Sequence, residues 1–177
     1  MFKLRYALIT VLVILILAAA CDENPFDPDG WHSTSRDGFE LRWRVSGSNL
    51  EVELTGPSTG WVAVGFGGSY LMHDANIIIG YVSGSSANIR DDFGIDSNTH
   101  ESDSNLQGGE QNVSSISGSE GSGDTEIDFT IPLDSGDIWD VALTEGQNYN
   151  IIFMCGDDGA DNFTSAYKTI TNTSITL

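Results

Sequence analysis

Apolar and polar residues alternate with a period of two over much of this chain. FELRWRV (39–45) puts Phe39, Leu41, Trp43 and Val45 on one face and Glu40, Arg42 and Arg44 on the other. LEVEL (50–54) alternates in the same way, and the SGSN between the two segments is a hairpin-turn signal. GWVAVGF (60–66) and NIIIGYV (76–82) are almost continuously apolar, as strands covered on both faces are. ANIRDDF (87–93), TEIDFTI (125–131), YNIIFM (149–154) and TSITL (173–177) complete a set of about eight strands. No window sustains an apolar period of 3.6, so no helix beyond a turn or two is predicted. Residues 94–123 are polar, acidic and rich in Gly and Ser, and read as a long loop that is either functional or mobile. Short strands parted by Gly, Ser and Asp turns predict an all-β fold, an immunoglobulin-like antiparallel β-sandwich of about eight or more strands.

The N-terminus stands apart from this pattern. Lys3 and Arg5 precede an apolar run from Leu8 to Leu17, and Ala18-Ala19-Ala20 leads into Cys21. The run is short for a span of ~20 residues, and small residues follow it, so residues 1–20 read as a signal peptide. LAAAC resembles the bacterial lipobox, which implies cleavage before Cys21, lipidation of its thiol and a membrane anchor on the extracytoplasmic side of the cell envelope. Residues 21–30, acidic with two prolines, then form a tether, and residues 31–177 form one domain. With Cys21 lipidated, Cys155 has no partner for a disulfide; within the apolar IIFMC it reads as a buried, inert thiol.

Charge narrows the function. Seven basic residues against 26 acidic ones give a formal net charge of −19, which repels a phosphate backbone and argues against nucleic acid as a partner. There is no G-x-S-x-G, no credible Ser-His-Asp arrangement and no phosphate-cradling loop, so an enzyme acting alone is not expected. Asp91, Asp92, Asp96, Glu101 and Asp103 lie close together and offer hard oxygens suited to Ca²⁺, although the spacing is not that of an EF-hand and a solvated acidic loop is the plainer account. Trp31 and Trp139 lie near turns and could stack on sugar rings, whereas Trp43 and Trp61 fall in strand patterns and read as core.

The segment GWVAVGFGGSYLMHDANIIIGYV (60–82), followed by RDDFG (90–94), THESD (99–103), Gly108-Gly109, IDFTIPLDSGD (127–137) and YNIIF (149–153), resembles a DOMON domain over roughly residues 31–177. The resemblance implies an extracytoplasmic β-sandwich that binds haem b or a sugar. Its haem-binding members are similar to the cytochrome domains of secreted dehydrogenases and hand electrons to a redox partner protein. In them one iron ligand is a Met just after the GF strand, which here corresponds to Met72, and the other is a His near the C-terminal strand. This chain departs at the second position: Tyr167 and Lys168 stand where the His is expected, and no His follows His100. A thioether is a soft, neutral iron ligand, while a lysine would first have to lose its proton. His73 adjoins Met72, His100 falls in the polar loop, and His32 lies at the domain start. Taken with the resemblance, three readings remain: a haem b electron-transfer module with an altered ligand set around Met72, Tyr167 and Lys168, a carbohydrate- or small-ligand-binding module, and a surface lipoprotein without a working site.

Overall fold

The computed structural model describes residues 29–177; the signal peptide, Cys21 and most of the tether lie outside the described residues. The chain forms β1 (His32–Arg36), β2 (Phe39–Ser46), β3 (Asn49–Gly56), β4 (Val62–Tyr70), β5 (His73–Ser83), β6 (Ser86–Gly94), β7 (His100–Ser102), β8 (Ser114–Gly121), β9 (Asp124–Pro132), β10 (Asn148–Cys155) and β11 (Thr169–Thr176). A five-stranded sheet runs β1-β2-β3-β9-β8 and a six-stranded sheet runs β11-β10-β4-β5-β6-β7, every pairing antiparallel. The sandwich expected from the period of two is therefore present. Among the described residues no helix is long and apolar enough to cross a membrane.

Two layers of apolar side chains explain the two kinds of strand. Leu41 and Trp43 of β2, Leu50, Val52 and Leu54 of β3, and Ile127, Phe129 and Ile131 of β9 meet Val62, Val64, Phe66, Ile78, Ile151 and Phe153 from the other sheet. This is the core between the sheets. The alternate residues Ala63, Ala75, Ile77, Ile79, Ile152 and Met154 face the opposite way and form a second cluster with Trp61 and Met72. That outer face is covered by Ala160, Phe163, Tyr167 and Ile170. Strands β4, β5 and β10 are thus buried on both faces, which is why their sequences are apolar without alternation.

Three strands depart from the sequence reading. HSTSR and SSISGSEG carry no apolar stripe, yet both close hairpins with two-residue turns, Asp37-Gly38 and Ser122-Gly123, in which both residues have positive φ. Residues 94–123 are not one loop. They hold β7, a 3-10 turn at Asp103–Asn105 and β8. Beyond the short β7, the Gln111 side chain continues the edge: its Oε1 accepts from the Asp91 amide at 2.9 Å and its Nε2 donates to the Asp91 carbonyl at 2.7 Å.

Candidate functional site

Met72 sits at the tip of the β4–β5 hairpin, where Tyr70 pairs with His73. The register slips between Gly67 and Tyr70, and Gly67 and Gly68 both have positive φ, a backbone that glycine adopts without a Cβ clash. Leu71, the first residue of the turn, has φ of +49°, a conformation costly for a leucine. This bent tip folds over the end of β6. The Met72 carbonyl accepts from the Ala75 amide at 3.0 Å and lies directly above Gly94, where a side chain would collide with it. The Met72 side chain is only 2% exposed and rests on the outer apolar cluster.

Met72 lines a cavity of about 450 Å³ together with Trp61, Arg90, His100, Phe163 and Tyr167. Its size is that of a small-molecule or cofactor site, about 300–1,000 Å³. Phe163 closes one side, edge-on to Tyr81 at 4.9 Å and beneath the Arg90 guanidinium at 4.4 Å. The Tyr167 hydroxyl donates to Asn98 Oδ1 at 3.3 Å. Met72 and Tyr167, both singled out from the sequence, therefore share one wall system.

His100 belongs to β7 and not to a loop, and sequence reasoning passed over it. Its Nδ1 lies 2.5 Å from Asp92 Oδ2, and Asp92 is fully buried. Arg90 clamps the same carboxylate with Nε to Oδ1 at 2.5 Å and Nη2 to Oδ2 at 2.6 Å. The carboxylate is placed to accept from the Nδ1 proton, the arrangement that orients ligating histidines. What hid His100 was the polarity of its surroundings. The available signal was Arg90-x-Asp92 on one face of a strand, with a His a short turn later.

Of the remaining candidates Glu101 lines the cavity, and the others lie apart from it. Lys168 Nζ is 3.8 Å from Asp158, its amide donates to the Cys155 carbonyl at 2.7 Å, and it is not among the residues lining the cavity. Trp31 lies on the outside of the five-stranded sheet beneath the guanidinium groups of Arg42 and Arg44, at 5.1 and 4.8 Å. Trp139 packs on Phe93 at 5.1 Å and donates to the Gln107 carbonyl at 3.3 Å. Trp31 lines a hollow on the five-stranded sheet with Val52, Asp128 and Phe129, to which Trp139 does not contribute. Asp96 caps its own turn by accepting from the Asn98 and Thr99 amides, which holds its carboxyl below the usual range, and Glu101 is exposed. Cys155 is buried, and burial pushes its thiol up from its ordinary value, as expected of an inert thiol.

Solved structures share this architecture. The cytochrome domain of cellobiose dehydrogenase from Myriococcum thermophilum superposes with a TM-score of 0.62 at 12% identity, covering 87% of each chain. The cytochrome b domain of pyranose dehydrogenase from Coprinopsis cinerea gives 0.58 at 15% identity over 86% of each. At such identities the likeness is one of fold. No curated protein sequence matches the chain significantly. The DOMON domain family, by contrast, matches residues 35–156, well over half of the sequence, and the chain belongs to that family.

Proposed function

We propose that this protein is a haem b binding module that carries electrons outside the cytoplasm, held to the membrane through lipid on Cys21. The observation that carries the reading is that a buried thioether and an imidazole held through Nδ1 line one cavity, Met72 from the β4–β5 tip and His100 from β7. The donor set suits haem iron: one soft sulfur and one imidazole nitrogen, with a carboxylate behind the imidazole that fixes its orientation. Haem held there would supply one-electron redox chemistry, and Met/His ligation raises its reduction potential. The protein's own part is positional. Asp92 and Arg90 fix the His100 ring, the Gly67–Gly68 bulge turns Met72 inward, and Trp61 and Phe163 offer apolar walls that keep water from a ligand. Tyr167 and Lys168, the donors suggested by the family position, take second place because the Tyr167 hydroxyl is bonded to Asn98 and the Lys168 ammonium faces Asp158. No catalytic group is required of such a module; a redox partner protein takes up the electron.

The test is a haem titration of wild type, Met72→Ala, His100→Ala, Tyr167→His and Lys168→His. Wild type should give a shifted Soret band with a low-spin spectrum. Met72→Ala and His100→Ala should each weaken binding at least tenfold and abolish the low-spin form, while the other two should resemble wild type. If none develops a Soret band beyond that of free haem, the haem reading falls, and a sugar- or small-ligand-binding module, probed through Trp31 and Trp139, takes its place.

A further inference from the structure

We propose that Asp91, Asp103 and Asp140 form a Ca²⁺ site buried between the two sheets, on the opposite face of β6 from His100. Successive residues of a strand point to opposite faces. Asp92 pairs with Ile77 and turns outward to His100, whereas Asp91 pairs with Ile78 and turns into the sandwich. There it meets Asp103 from the 3-10 turn after β7 and Asp140 from the β9–β10 connection.

One carboxylate oxygen from each of the three lies within 4.8 Å of the other two. Three atoms so spaced can all be reached from a point no more than about 2.8 Å away, a few tenths beyond the Ca–O distance of about 2.3–2.6 Å. An acidic cluster alone would mean little, but here the oxygens are orphaned. Asp91 and Asp103 are both 0% exposed, and Asp91 Oδ1 and both Asp103 carboxylate oxygens have no hydrogen-bond partner. The amides that border the cluster repeat the pattern. Asn76 Nδ2 donates to Asp140 Oδ1 at 2.9 Å and the Asn112 backbone amide donates to Asp91 Oδ2 at 3.1 Å, yet the side-chain Oδ1 of each asparagine is buried and unpartnered. Buried acceptors normally find donors, and these five do not. One water has two protons to give and cannot satisfy them. A divalent cation can satisfy several at once.

Charge points the same way. The charged groups acting on Asp91 are Asp140, Asp103 and Asp92, all of one sign, and those acting on Asp103 are Asp140, Asp137 and Asp92. Without a cation, burial and this mutual repulsion push Asp91 up to about 8 and Asp103 up to about 7. The one guanidinium on this strand, that of Arg90, is spent on Asp92 across the sheet. An all-oxygen donor set without His or Cys excludes a preference for zinc or copper. A buried set of protein oxygens suits Ca²⁺ better than Mg²⁺, which sheds its waters reluctantly.

Thermal unfolding of the EGTA-stripped protein tests this without reference to haem. Adding CaCl₂ should raise Tm by about 5–10 °C once Ca²⁺ is about a hundredfold above its dissociation constant, with one ion bound per chain by calorimetry. Asp103→Asn and Asp140→Asn should each abolish the rise. In EGTA, Asp103→Asn should melt above wild type, because it removes a buried charge. The site is refuted by a wild type whose Tm does not respond to Ca²⁺ up to about 10 mM, by a rise that survives both substitutions, or by an equal rise with Mg²⁺. Should one variant fail to fold, the other and the wild-type comparison still decide.

Discussion

Gly94→Ala moves Met72 without altering it. Gly94 ends β6 beneath the hairpin tip, and a methyl group added there would sit on the Met72 carbonyl oxygen and 2.6 Å from the carbonyl carbon. Carbon–carbon contacts need about 3.5 Å, and the overlap with the oxygen is the larger of the two, so the tip must retreat by more than about 1 Å. Such overpacking costs about 1–3 kcal/mol, which for a domain of this size lowers Tm by about 3–10 °C. The backbone itself does not object, because Gly94 is not at positive φ, and glycine-to-alanine changes at tolerant sites stabilise by about 0.4–1 kcal/mol. Gly121→Ala supplies the matched control, since a Cβ there meets nothing within 4 Å. Both proteins should be melted and titrated with haem. The expected outcome is a lowered Tm and weakened haem binding for Gly94→Ala, with Gly121→Ala melting at or slightly above wild type and binding haem as wild type does. An unchanged Tm would show that the tip does not rest on β6. A lowered Tm with wild-type haem affinity would show that Met72 is no donor.

Phe66→Ala removes a side chain that is 1% exposed between the sheets and should cost about 3–5 kcal/mol in urea unfolding; a loss under about 1 kcal/mol would contradict its place in the core. In EGTA, stability should fall as pH rises from about 4 to 8. Asp91 and Asp103 titrate near 3.8 when unfolded but at about 8 and about 7 when folded, so in that window the folded chain holds more protons and raising pH favours unfolding. Their contribution is complete below the unfolded value and lost through the folded one. Urea midpoints at about pH 5.5 and 8.5 should therefore differ more for wild type than for Asp91→Asn, and equal differences would rule the effect out. Cys21→Ser should abolish palmitate labelling and detergent partitioning; wild type recovered unlabelled in a soluble fraction would refute the anchor.

Much of the fold was legible because its strands announce themselves through burial. Alternation located β2, β3 and β9, and apolar runs located β4, β5 and β10, the strands with two covered faces. β1 and β8 bury almost nothing, so only their Asp-Gly and Ser-Gly turns betray them. The site was half legible. Met72 followed from the motif around it, and Tyr167 does line the same cavity. His100 and Asp140 were not reachable in that way. The first depends on a hydrogen bond to Asp92 across a hairpin, and the second on the β9–β10 connection folding back to a strand some fifty residues earlier. Pattern along a chain reports which face is buried; it does not report what two distant segments bring to one point.

The tandem carboxylates of β6 bear on how the register of that strand is specified. Sliding a strand by one residue exchanges its faces. Asp91 and Asp92 would merely trade places, so the pair that lends both faces their chemistry is blind to the slip. Their neighbours are not. A slip would carry Arg90 from above Phe163 into the apolar interior and turn Ile89 and Phe93 out of it, away from the inner core and from Trp139. Register is thus written in Ile89, Arg90 and Phe93, and the two aspartates are left free of that duty. Either can be exchanged for another polar residue, altering the donor atoms one face presents while the strand keeps its alignment.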